Sequence, residues 1–152
     1  MQWAVADVVQ YEKTREYIDT GIIPLLSISF EKEMKAAAVE GEFISALTRE
    51  LEREYKGRVF LLPAFTYVEG ACANERQRLL DWTNYLKERG LQHIALITGD
   101  FSWKEFEYDL TEQLFCLPAL PLEQLSDQAK REIIHAQIKN IMEILTEKWE
   151  NK

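Results

Sequence analysis

The side chains that could do chemistry follow the apolar stretches of this sequence, where predicted strands end. Acidic, hydroxyl and aromatic residues recur at four such places. The candidate site comprises Asp7, Ser27, Ser29, Thr66, Tyr67, Glu69, Thr98, Asp100 and Trp103. Ligands of open parallel sheets bind outside the carboxyl ends of the strands. We therefore expect these side chains to line one polar rim, with Trp103 covering a ligand or a partner.

The carboxylates at this rim allow two interpretations. Asp7, Glu69 and Asp100 could together hold Mg²⁺, which prefers carboxylate and water ligands. The sequence contains no Asp-x-Asp pair, however, and acidic residues at such turns are more often helix caps. Asp7, three residues before Gln10, matches a capping box. We therefore predict neither a metal site nor a resident cofactor.

No pattern in the sequence predicts covalent catalysis. There is no Gly-x-Ser-x-Gly turn, no glycine-rich phosphate loop and no cluster of Cys and His residues. Cys72 precedes a predicted helix, whose amino terminus would stabilise a thiolate. His93 falls at the opposite end of its strand, so we interpret Cys72 as an inert residue. The sequence leaves open whether the chain is an enzyme.

Short apolar runs and amphipathic stretches alternate along the chain. Strands are predicted at 2–6, 22–29, 58–65, 91–98 and 114–117. Helices are predicted at 7–19, 31–56, 74–89, about 102–112 and 126–150. For residues 103–112 a strand stays open as the alternative, because Phe106, Tyr108 and Leu110 also fit its alternation. Gly21 is expected to end the first helix, and Pro24 indicates an edge strand or the beginning of a strand.

This alternation is typical of an α/β protein. Continuous apolar strands indicate a parallel sheet that is buried on both faces. We predict a single three-layer domain over residues 1–152. Its mostly parallel sheet of about four or five strands would carry helices on both faces, in a Rossmann- or flavodoxin-like arrangement.

The long C-terminal helix has two interpretations. Its apolar stripe of Ile134, Ile138, Ile141, Leu145 and Trp149 favours a helix that closes the core. Alternatively, its far end overhangs the sheet and binds a second copy of the chain or another protein.

Charge and composition exclude several classes of partner. With 152 residues and a net charge of −8, the chain is expected to repel nucleic-acid phosphates and anionic membranes. No apolar run reaches the roughly 20 residues that span a bilayer. Two cysteines without a secretory signal indicate a reducing cytoplasm.

Several motifs resemble those of the YpiF family of Bacillus and related Firmicutes. The matching residues are Met1-Gln-Trp3, Asp7, Tyr11, Tyr17-Ile-Asp-Thr20, Pro24-Leu25, Lys56-Gly-Arg58 and Leu61-Leu-Pro-Ala-Phe-Thr-Tyr67. The resemblance covers most of the chain and implies a domain of unknown function. Two functions stand as hypotheses: a non-catalytic accessory or protein-interaction domain, and a small-molecule-binding domain or enzyme that uses the polar rim.

Overall fold

The computed structural model describes residues 1–110 and 112–150. The helices are α1 (Val5–Thr14), α2 (Met34–Glu54), α3 (Cys72–Glu88), α4 (Glu107–Leu110) and α5 (Asp127–Glu150). The strands are β1 (Thr20–Ile28), β2 (Val59–Leu61), β3 (Phe65–Val68), β4 (His93–Thr98) and β5 (Gln113–Cys116). Short 3₁₀ helices lie at Arg15–Tyr17, Phe101–Phe106 and Leu122–Gln124. Where a short helix was expected at about 102–112, residues 101–106 form a 3₁₀ helix and residues 107–110 an α-helix, while position 111 lies outside the described residues.

All five strands join one parallel sheet around β1. The order is β2-β1-β4-β5, and β3 also pairs with β1. The first residues of β1 pair with β2, from Thr20 opposite Val59, and its last residues pair with β3, up to Ile28 opposite Val68. The predicted α/β class and mostly parallel sheet are confirmed.

Pro24 lies in the central strand, and its prediction as an edge or initial residue was wrong. The side of β1 that faces β2 and β3 carries the backbone groups of Ile22 and Ile28, which accept hydrogen bonds from Leu62 and Glu69. By the alternation of a strand, Pro24 faces the same side and has no N–H to offer. The neighbouring strand is interrupted there, at residues 62–64 between β2 and β3.

That interruption also changes the strand predicted at 58–65. It is divided into β2 and β3, and the second piece continues to Val68. Thr66 and Tyr67 therefore lie within a strand and not in the loop after it. Burial alternates along β3, since Phe65 and Tyr67 are buried whereas Thr66 and Val68 are exposed.

The amino-terminal predictions were wrong in two respects. Residues 2–6 form no strand, and only Gln2 makes a single parallel bridge, to Leu61. Asp7 does not cap its helix, because α1 begins at Val5 and the Asp7 carboxylate accepts the N–H of Gln2 at 2.7 Å.

Gly21, expected to end the first helix, lies inside β1. A Cβ at this position would meet side-chain carbons of Ile94, Leu91 and Leu62 at 3.1–3.3 Å. The missing side chain lets these three residues close over the strand, which is why a glycine suits this place.

Two helical layers cover the sheet. On one face α1, α3 and the segment 101–110 pack over a cluster that includes Ile23, Leu25, Phe65 and Leu96. On the other face α2 and α5 pack over a cluster that includes Ile22 and Ile97. The first six residues of β1 and most of β4 are thus buried on both sides, as their continuous apolar sequences predict, whereas β3 is buried on one face only.

Helix α5 lies against the protein to its last described turn. Ile138, Ile141, Met142 and Leu145 are buried under it. The indole of Trp149 donates to the Thr20 hydroxyl at 2.7 Å and packs against Tyr55 and Arg58. These contacts match the interpretation in which the helix closes the core. No helix in residues 1–110 and 112–150 is both long and apolar enough to cross a membrane.

Leu47→Ala tests the packing of α2 on the sheet. Leu47 is fully buried, so the cavity left by the truncation is expected to lower the free energy of unfolding by about 3 kcal/mol. Urea denaturation followed by circular dichroism measures this change. The control Leu120→Ala removes the same atoms from an exposed side chain, and equal losses for both variants would contradict the described packing.

Candidate functional site

The candidate site lies where the chain reverses its direction of travel across the sheet. From β1 the chain passes through α2 to β2 and β3 on one side, and then through α3 to β4 on the other side. The switch point of this sheet is therefore between β1 and β4, whose last paired residues are Leu25 and Thr98. Ligands of open α/β sheets bind outside such a point.

Asp100 is the hub of a hydrogen-bond network just beyond this point. Its Oδ2 accepts the hydroxyl of Tyr67 at 2.5 Å, and its Oδ1 accepts the backbone N–H of Ser102 at 3.0 Å. The Cys72 sulfur lies 3.7 Å from Oδ2. One carboxylate thus joins β3, the beginning of α3 and the 3₁₀ helix at 101–106.

Trp103 is a buried member of this network. It is fully buried, and its indole N–H donates to the Tyr67 hydroxyl oxygen at 2.8 Å. Burial and the hydrogen bond to Asp100 hold the pKa of Tyr67 well above its usual value. Tyr67 therefore stays a hydrogen-bond donor. Trp103 is buried beneath the rim and, contrary to our expectation, is not exposed to cover a ligand.

Thr98 ties the network to the centre of the sheet. Its fully buried hydroxyl donates to the carbonyl of Leu25 at 3.0 Å and accepts the N–H of Asp100 at 3.0 Å. Its role is therefore to fix the ends of β1 and β4 beside each other.

The cysteines near the rim are poor nucleophiles. Burial, with the charge of Asp100 as the next cause, raises the pKa of Cys72 to about 12. Burial also raises the pKa of Cys116 to about 11. Both are free thiols. The position of Cys72 at the start of α3 does not offset its burial, which agrees with our interpretation of it as inert.

Glu40 on α2 belongs to the rim, although sequence reasoning missed it. A Cβ on Gly99 would meet the Glu40 Cγ at 3.2 Å, so the missing side chain lets Glu40 lie against the end of β4. Burial raises the pKa of Glu40 to about 7, with further contributions from the charges of Asp100, Glu69 and Glu33.

A signal for Glu40 is present in the sequence. Ala37, Ile44, Leu47 and Leu51 are buried at helical spacing along α2, and Glu40 occupies the position of this stripe between the first two. A charged residue in a buried stripe indicates a polar environment at the end of the sheet.

The remaining predicted site residues are more scattered. Ser29 Oγ accepts the N–H of Glu31 at 3.3 Å, and Ser27 is half-buried beside it at the end of β1. Glu69 is exposed just after β3. Thr66 is also exposed, but it projects to the face opposite Tyr67.

Asp7 does not belong to the rim. It bonds to Gln2, which pairs with Leu61, and Leu61 lies opposite Ile22 in the first half of β1. Ile28, at the rim, is six residues further along, on the order of 20 Å. Asp7 is thus too far from Glu69 and Asp100 for the three carboxylates to share one Mg²⁺.

A different trio of side chains could hold a metal ion. Ligand atoms of Glu50 and Glu54 on α2 and His135 on α5 lie within 4.8 Å of one another. Arg53, however, already forms an ion pair with Glu50, and an ion would have to displace it. This cluster lies away from the rim and offers no link to the chemistry there.

Large apolar side chains are exposed around the rim. We call this set the rim patch: Ile28 (45% exposed), Phe30 (82%), Met34 (49%), Val68 (65%) and Phe101 (47%). Ile28 and Val68 are register neighbours on the same face of the sheet. Sequence reasoning missed this patch because strand-end hydrophobics look the same whether a helix covers them or not.

Tyr67→Phe tests the network beneath the rim. Removing the hydroxyl leaves the buried indole N–H of Trp103 without its acceptor and takes one donor from Asp100, so we expect a loss of about 2 kcal/mol in the free energy of unfolding. Urea denaturation measures it. The control Tyr108→Phe makes the same change on a side chain that is 95% exposed, and a similar loss there would contradict the network's importance.

The raised pKa of Glu40 predicts how stability changes with pH. Between about pH 4.5 and 7 the folded protein binds more protons at Glu40 than the unfolded chain does, so this group lowers stability as the pH rises. We expect Glu40→Gln to flatten the stability profile in this window. Urea midpoints at several pH values measure it, with Glu16→Gln as a control for the lost charge. Parallel profiles for Glu40→Gln and the unmodified protein would contradict the expectation.

Comparison with known proteins agrees with the motifs. The family described as "Protein of unknown function (DUF2487)" matches residues 9–149. The uncharacterized protein YpiF of Bacillus subtilis (strain 168) is 38% identical over 151 residues, which cover 98% of this chain and 98% of that protein. No solved structure matches the chain. The resemblance expected from the motifs is thereby confirmed, and the chain belongs to the DUF2487 family, whose function is unknown.

Proposed function

We propose that this chain is an accessory domain that binds another protein through the rim patch. The observation that carries the proposal is the concentration of exposed apolar side chains where β1 and β3 end and α2 begins. Exposed apolar groups at one place, bordered by polar residues, are typical of protein-binding surfaces. We also propose that residues 1–152 form one domain.

Charge favours a particular kind of partner. Acidic side chains outnumber the basic Lys32, Lys35 and Lys104 around the rim patch: Glu31, Glu33, Glu40, Glu69 and Asp100. A complementary partner presents an apolar centre with lysine or arginine around it. Two copies of this chain would bring acid against acid, so the rim favours a different protein over self-association.

The network beneath the rim supports binding by a preformed surface. The contacts of Asp100 with Tyr67 and Ser102 fix the ends of β3 and β4 relative to each other. A surface that is already ordered loses less conformational entropy on association. The rim is therefore a better candidate for a binding surface than α5. Among the described residues of α5, Ile144 is the only large hydrophobic side chain that is exposed.

We place this function in the cytoplasm. Support comes from the two cysteines, which are free thiols, as proteins of a reducing compartment usually have. The acidic charge of −8 also suits a protein that does not bind nucleic acid.

Photo-cross-linking in a Bacillus subtilis host tests the proposal. The photoreactive residue p-benzoylphenylalanine replaces Phe30 in the rim patch or, as the control, Tyr108, which is also exposed. We expect cross-linking at position 30 to one protein whose contact surface mass spectrometry shows to be apolar and basic. Position 108 should give little product.

A second substitution makes the test specific. Val68→Lys places a cation in the rim patch and is expected to reduce the cross-link at position 30 by about tenfold. Val5→Lys, on the exposed side of α1, should leave it unchanged. Equal yields at positions 30 and 108, or a product consisting of two copies of this chain, would contradict the proposal.

A further inference from the structure

We propose that the cleft between α1 and α3 binds an amphipathic anion, an aromatic body that carries a carboxylate or a similar group. The cleft has a volume of about 400 Å³ and opens over β2. It involves none of the residues of the rim patch, so this inference is independent of the proposed protein-binding function.

The walls of the cleft are mainly aromatic and aliphatic. Trp3, Tyr11, Phe60 and Tyr85 line it together with Leu86. Phe60 meets Tyr11 edge to face, with ring centroids 5.2 Å apart, and Trp3 lies 6.3 Å from Phe60. Small-molecule sites typically have this composition and a volume of roughly 300–1,000 Å³, which accommodates a body of about two or three rings.

Two arginines at the cleft supply the charge. Arg15 lies over the ring of Tyr11, and Arg89 lies over the ring of Tyr85. Neither guanidinium forms an ion pair with a carboxylate in residues 1–110 and 112–150, whereas several other arginines do. With Glu12 also present, the cleft carries one net positive charge in a protein of net charge −8.

Helix α1 forms a wall that can admit a ligand. None of its side chains is buried, and it rests on the sheet through the partly buried Val8 and Tyr11. A wall held by so few buried side chains opens at a lower cost in free energy than a core helix does. The Trp3 side chain, 65% exposed, lies at the same cleft and offers additional surface to a bound ring.

The test compares a charged probe with its neutral relative. The anionic probe is 1-anilinonaphthalene-8-sulfonate, and the neutral probe is N-phenyl-1-naphthylamine, which has the same rings without the sulfonate. Fluorescence titration of the folded protein measures affinity and stoichiometry. We expect one site for each probe and tighter binding of the anion.

Charge variants then locate the site. The double variant Arg15→Gln/Arg89→Gln is expected to weaken the anionic probe about tenfold and leave the neutral probe unchanged. The matched control Arg49→Gln/Arg131→Gln removes the same charge from exposed positions outside the cleft and should change neither affinity. Glu12→Gln should strengthen binding of the anion, because it removes the negative charge at the cleft.

A filled cleft completes the test. Val8→Trp adds bulk at the partly buried contact of α1 that lines the cleft and should weaken both probes, while circular dichroism checks that the fold is kept. The proposal is overturned if the anionic probe does not bind, if the control double variant weakens it as much as Arg15→Gln/Arg89→Gln does, or if a folded Val8→Trp variant binds both probes as before.

Discussion

The whole sheet depends on the pairing of β1 with strands on both of its sides. Three strands form hydrogen bonds with it, and only β5 reaches the sheet through β4. β1 must therefore be apolar on both faces and long enough to pair with both β2 and β3 along one side. It also needs a small residue where side chains of neighbouring elements pack closest to its backbone. Gly21 meets the last need, and the apolar run from Ile22 to Leu26 meets the first.

The same strand explains why the candidate site lies where it does. The chain leaves β1 first to one side and then returns to the other, and the two directions separate at the ends of β1 and β4. Thr98 joins these ends, and Asp100 extends the connection to Tyr67 and Ser102. A carboxylate that serves as a structural hub also lends its charge to its neighbours, which contributes to the raised pKa of Glu40.

The sequence predicted the layers of this fold well because buried parallel strands and amphipathic helices leave strong patterns. Prediction from the sequence failed where one residue type can occupy two different structural positions. Pro24 normally indicates an edge, but here it lies in the centre opposite an interrupted neighbour. Asp7 had the spacing of a cap, but its carboxylate bonds to Gln2. Glu40 interrupts the buried stripe of α2, which is a signal in the sequence, but its approach to the end of β4 depends on Gly99, which is distant in sequence. These cases are decided by which strands pair and by where each helix packs, and the local spacing of residues carries no information on either.

The gap opposite Pro24 has a consequence for the motions of the protein. It divides the outer edge of the sheet into two short pieces, each paired with its own part of β1. Separate pieces can open locally without opening each other. The end of the molecule that carries the rim patch and the end that carries the cleft between α1 and α3 thus hold separate pieces of this edge, and either piece can open while the other stays paired with β1.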